Sequence, residues 1–107
     1  MLQYRQGDVL LQKVDRIPAP AQRQNASDRI ILAHGEATGH AHAISSKQAL
    51  SYTLLGQSFI LAQRGATLVH EEHAPIQLEQ GCYQVIQQRQ YTDPTPDHAE
   101  DWDYSYD

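Results

Sequence analysis

The stretch LSYTLLGQSFILAQRGATLVH, residues 50–70, decides the fold. It divides into three apolar-rich runs, Leu50–Leu55, Ser58–Ala62 and Ala66–His70, separated by Gly56-Gln57 and Arg64-Gly65. Short β-rich runs joined by two glycine-containing residues are the signature of hairpins. No window carries a 3.6-residue apolar stripe of helical length. Further strands are expected on both sides. Val9–Val14 follows Gly7-Asp8, Arg29–His34 and His40–Ser45 flank Gly39, Ile76–Leu78 alternates briefly, and Cys82–Tyr91 makes a long final run. Pro18 and Pro20 end the first of these runs, residues 18–28 read as a polar surface loop, and Pro75 is expected to break the chain. Strands recurring about every ten residues predict an all-β single domain, either a small closed barrel or a two-sheet roll.

The 107 residues leave room for one domain. Charge is distributed unevenly. Of 13 acidic residues, six lie in residues 93–107, where there is no Lys or Arg. The division predicted is therefore a β domain over residues 1–92 and a loosely ordered acidic tail over 93–107. Trp102, Tyr104 and Tyr106 alternate within that tail in a way that suits a sheet edge or a partner. The body, with seven acids against eight bases, lacks the clustered cations that a nucleic-acid backbone requires. No apolar run is long enough for a membrane span or a secretory signal, and the expected address is the cytoplasm. Cys82 has no second cysteine to pair with and reads as a buried structural thiol.

Chemistry concentrates in the histidines. His40-Ala41-His42 is an i, i+2 pair; on a strand both rings project from one face, about 6.6 Å apart along the backbone. His70-Glu71-Glu72-His73 lies at a strand end running into a turn. Its histidines are three apart rather than four, so it is not the helical His-Glu-x-x-His of a zinc protease. Imidazoles that converge suit a divalent transition metal: zinc, iron, manganese or nickel. The predicted ligands are His40, His42, His70 and His73, with Glu36 or His34 as a further ligand or as a partner fixing an imidazole tautomer. His98, in the acidic tail, is expected to be solvated.

A His-x-His strand after Gly35 in a small all-β domain resembles the cupin superfamily, whose resemblance implies a jelly roll holding a metal through histidines and a glutamate. Here Gly35 precedes His40 by one residue fewer than in that pattern, and the second cupin motif is absent. The chain also resembles small uncharacterised proteins of bacteria and their phages. It shares with them Gly-Asp-Val-Leu at Gly7–Leu10, Gly-Glu-x-Thr-Gly-His-x-His at Gly35–His42, His-x-x-His-x-Pro-Ile at His70–Ile76, and Gly-x-Tyr-x-Val with Gln-Arg-x-Tyr within Gly81–Tyr91. That resemblance implies that the two histidine blocks matter and names no substrate.

Three functions are compatible with these residues. The first is metal-dependent catalysis on a small-molecule substrate, with Glu36 or Glu72 as general base. The second is a non-catalytic interaction module with a structural metal or none. The third is a histidine interface that responds to pH without metal. Open sheet edges in so small a domain also predict a homodimer.

Overall fold

The computed structural model describes residues 2–34 and 39–88. These form strands β1 (Gln3–Gln6), β2 (Val9–Val14), β3 (Gln22–Gln24), β4 (Arg29–His34), β5 (Ala41–Ser45), β6 (Ala49–Leu54), β7 (Gln57–Ala62), β8 (Thr67–His70), β9 (His73–Gln77) and β10 (Gly81–Gln87). Every pairing is antiparallel. One sheet has the order β1-β2-β10-β7-β6-β3 and the other β4-β5-β8-β9. The all-β expectation holds in its two-sheet form; strand pairing does not close the sheets into a barrel. Among the described residues no helix is long and apolar enough to cross a membrane.

The core lies between the sheets. Leu11, Ile60, Ala62 and Tyr83 from the larger sheet meet Ile30, Ile44 and Leu68 from the smaller one. Tyr83 is fully buried, and its hydroxyl donates to the Glu79 carbonyl, while the Glu79 N–H donates to the Tyr4 hydroxyl at 3.2 Å. Burial pushes the Tyr83 phenol far above its ordinary pKa, and the neighbouring Tyr4 adds to the shift.

Local expectations fail where neighbours outvote composition. Pro75 does not break the chain; it sits inside β9, which among the described residues pairs with β8 alone, at the sheet edge, and so tolerates a missing N–H. Within the expected 18–28 loop, β3 pairs along the edge at β6, with Gln24 opposite Ser51. The β1 strand, not anticipated, forms a hairpin with β2 across Gly7-Asp8. His40 precedes β5 rather than opening it. The β6–β7 turn is Leu55-Gly56, one residue earlier than expected, with φ of 51° and 80°. Cys82 is half-buried rather than fully buried. The last strand ends at Gln87; Arg89–Tyr91, Glu36, His98 and the whole 93–107 tail lie outside the described residues.

Candidate metal centre

Antiparallel register brings the two histidine blocks together. β5 pairs with β8 through Ala43↔Val69 and Ile44↔Leu68. Continued by one, two and three residues, that register sets His42 opposite His70, Ala41 opposite Glu71 and His40 opposite Glu72. The contacts agree: the His42 and His70 ring centroids are 4.3 Å apart, the Ala41 N–H donates to Glu71 Oε1 at 2.9 Å, and His40 Nδ1 lies 3.3 Å from Glu72 Oε2. His70 and His73 pair across the Glu71-Glu72 hairpin tip, with centroids 4.7 Å apart. The remaining ring separations are 5.7 Å for His42–His73 and 5.8 Å for His40–His70. All four expected ligands therefore share one cluster. His34 is exposed at the end of β4 and makes no ring contact with it among the described residues.

Two further residues enter from the β1–β2 hairpin. Gln6 is 2% exposed, and its amide nitrogen donates to the carbonyls of Leu68 at 3.2 Å and Ala74 at 3.0 Å. Both partners can only accept, so both amide hydrogens are spent and Oε1 is left as an acceptor. Oε1 lies 2.9 Å from His42 Nδ1, which must therefore carry the proton. The neutral His42 ring then presents the Nε2 lone pair to Asp8 Oδ1, 3.3 Å away. Gly7 provides the space. Its φ of +60° suits the first position of a two-residue hairpin turn, and a Cβ there would stand 2.8 Å from His73 Nε2 and 3.2 Å from His42 Cε1.

Electrostatics keep this pair in its neutral-imidazole, ionised-carboxylate form. Burial lowers the His42 pKa below the ordinary imidazole value, His70 lowers it further, Asp8 opposes, and His73 reinforces the depression. For Asp8, burial pulls upward but is outweighed chiefly by hydrogen bonding from the Gln87 amide and its own backbone, and the net pKa is lowered. The Ala41 N–H holds Glu71 below the usual carboxylate value.

Tautomers differ around the cluster. The Glu72 N–H donates to His70 Nδ1 at 3.0 Å, so neutral His70 carries its proton on Nε2 and offers no second lone pair. His40 Nδ1 is buried without a hydrogen-bond partner: Glu72 Oε2 is near but out of line for a bond. Among the described residues, no group of three or more His, Cys, Asp and Glu side chains stands with its donor atoms already placed to hold a metal ion. Sequence reasoning missed Gln6 and Asp8. The Gly7-Asp8 turn was the available signal, since a hairpin tip can present its acid to a neighbouring sheet.

A family described as a domain of unknown function (DUF8820) matches residues 5–88, a span that holds Gln6, Asp8 and all four clustered histidines. No curated protein matches the chain. No solved structure matches it.

Proposed function

We propose that this chain, which belongs to the DUF8820 family, binds a divalent transition metal at the His40, His42, His70 and His73 cluster, with Asp8 as a carboxylate ligand. The observation that carries the reading is the His42–Asp8 pair. A lone pair and a carboxylate oxygen facing each other at 3.3 Å repel unless a cation joins them. That separation is close to the roughly 3.3 Å between two ligands on one tetrahedral zinc-sized ion. Two imidazoles on such an ion have ring centroids about 5 Å apart, and the cluster spans 4.3–5.8 Å. Gln6 would act as the partner that fixes the ligand tautomer, a role typical of metal-bound histidines.

His42 Nε2, His73 Nε2 and Asp8 would be drawn together as the first set on binding, since no three donors stand placed for an ion among the described residues. His40 or His70 would complete it by ring rotation, His70 giving up its bond from the Glu72 N–H. Zinc, nickel, manganese and iron suit this donor set. Asp8 is 38% exposed, so a coordination position would remain open to water. There the ion would generate hydroxide or polarise a substrate oxygen, with Glu72, 62% exposed, as the base. The second reading is a structural metal centre, favoured by the 2% exposure of His42. Dimerisation through the edge strands β1, β3, β4 and β9 belongs to the same proposal and is tested by light scattering.

Elemental analysis of untagged protein exchanged against each metal tests the assignment. One ion per chain is expected, with stoichiometry lost in His42→Ala and affinity reduced in Asp8→Asn. Asp8 is exposed enough for that variant to keep its fold. Absence of bound metal, or stoichiometric metal surviving in both His42→Ala and His73→Ala, overturns the proposal.

A further inference from the structure

The smaller sheet carries an apolar row on its outer face. Ile30, Ile44 and Leu68 pack into the core, so their neighbours along each strand face outward. Register sets three of these side by side, Ile31↔Ala43 and Ala43↔Val69. Pro75, next to Ile76 that packs on the core, is exposed and extends the row across β9. Ile31 is 37% exposed and Val69 41%, and between them Ala43 is fully covered. Arg29 stands two residues from Ile31 on the same outward side of β4, opposite Ser45. It is exposed, and among the described residues it has no carboxylate within ion-pair distance. Glu71, towards the other end of this face, is engaged by the Ala41 N–H.

The row is too small to hold a second copy by itself. It measures about 19 Å across four strands and, with the positions flanking it, about 13 Å along them, roughly 250 Å². A stable dimer buries roughly 800 Å² of each partner. A segment of the same chain needs less area, because it is already held close and loses little freedom on docking. Residues 89–107 follow the last described strand, and in Asp101-Trp102-Asp103-Tyr104-Ser105-Tyr106-Asp107 three aromatics alternate with polar and acidic residues. Extended, Trp102 to Tyr106 spans about 13 Å, against about 14 Å from Pro75 to Ile31 across three strand spacings. The point of exit suits this route. The Gln88 N–H donates to the Asp8 carbonyl at 2.7 Å, and Arg5, on edge strand β1, donates to Gln88 Oε1. β1 packs beside β9, where Gln6 bonds the carbonyl of Ala74, the residue before Pro75. Residues 89–101 reach up to about 43 Å when extended, more than the distance requires.

We propose that residues 101–107 lie across the outer face of the smaller sheet, with Trp102 on Pro75, Tyr104 over Val69 and Ala43, and Tyr106 on Ile31. Asp107 then meets Arg29, and the other aspartates remain on the solvent side. The docked segment removes the exposed row from contact with other molecules. The inference stands independently of the metal reading.

Trp102 is the chain's only tryptophan, so its fluorescence reports the contact without a label. Acrylamide quenching of the full chain in EDTA tests the proposal. The quenching constant is expected to lie severalfold below its value in urea and to stay there on tenfold dilution, with a nuclear Overhauser contact from the Trp102 indole to Pro75. Val69→Glu, which puts a charge in the row, is expected to return quenching to the urea value. Arg29→Glu, a change at an exposed residue that leaves the core intact, is expected to shift the docked-to-free ratio at least about twofold towards free. Circular dichroism confirms that each variant is folded. The inference is overturned if the parent quenches as it does in urea, if both variants quench like the parent, or if protection is lost on dilution, which would make a second copy the occupant.

Discussion

Replacing Gln6 by Leu separates the structural and chemical roles assigned to this side chain. Gln6 is 2% exposed and makes three hydrogen bonds, to the Leu68 carbonyl, the Ala74 carbonyl and His42 Nδ1. Leucine fills similar space but satisfies none of these groups. At about 1 kcal/mol net per bond, the loss is about 3 kcal/mol, and somewhat more because the partners stay in place with nothing to pair with. A domain of this size has a total stability of only about 5–15 kcal/mol, so the effect is large. It corresponds to a fall in Tm of about 12–20 °C. The chemical consequence is separate: without Gln6 the His42 proton is no longer held on Nδ1, and metal affinity is expected to fall about 10–100-fold. Thermal unfolding in EDTA, followed by circular dichroism, reads the first effect; calorimetric zinc titration at a temperature where the variant is folded reads the second. A loss below about 1 kcal/mol would refute the hydrogen-bond argument. Unchanged zinc affinity would refute the tautomer argument.

Other expectations come from particular residues. Gly7→Ala places a methyl 2.8 Å from His73 Nε2 on a backbone at φ +60°, and is expected to cost about 1–2 kcal/mol and to weaken metal binding, read by urea unfolding and zinc titration. Leu55 is 93% exposed and, with Gly56, occupies a two-residue turn with both φ positive, so Leu55→Asn is expected to raise stability by about 0.5–1 kcal/mol in the same unfolding assay. The raised Tyr83 pKa sets an alkaline limit. Folded and unfolded forms are both protonated below 10.0, and above it the unfolded tyrosine ionises first, so stability falls as pH rises through that value. Tyr83→Phe is expected to lose about 1 kcal/mol at neutral pH and to show a shallower alkaline decline, measured by denaturant unfolding across pH.

Much of the architecture was legible because it depends on neighbours close in sequence. Alternation and glycine joints located β6, β7 and β8 to within a residue or two, and the Leu55-Gly56 turn was displaced by one because a leucine with positive φ gives no sign in the sequence. Pro75 misled because whether a strand lies at an edge is a property of the sheet, not of its own residues. Likewise Gln22–Gln24 has little apolar character and is a strand only because β6 offers it an edge. The histidine blocks were legible as ligand types, and their meeting follows from β5 lying beside β8. Gln6 was not, since an amide fixes a tautomer only through the carbonyls around it, and those come from β8 and β9.

Anomalous diffraction at the zinc edge, from crystals grown with zinc, tests the metal assignment most directly. The expected result is one peak within about 2.0–2.2 Å of both His42 Nε2 and an Asp8 oxygen, with His73 Nε2 completing three ligands. A His42 ring still bonded to Gln6 but facing Asp8 through a water, with no peak in the cluster, would contradict it.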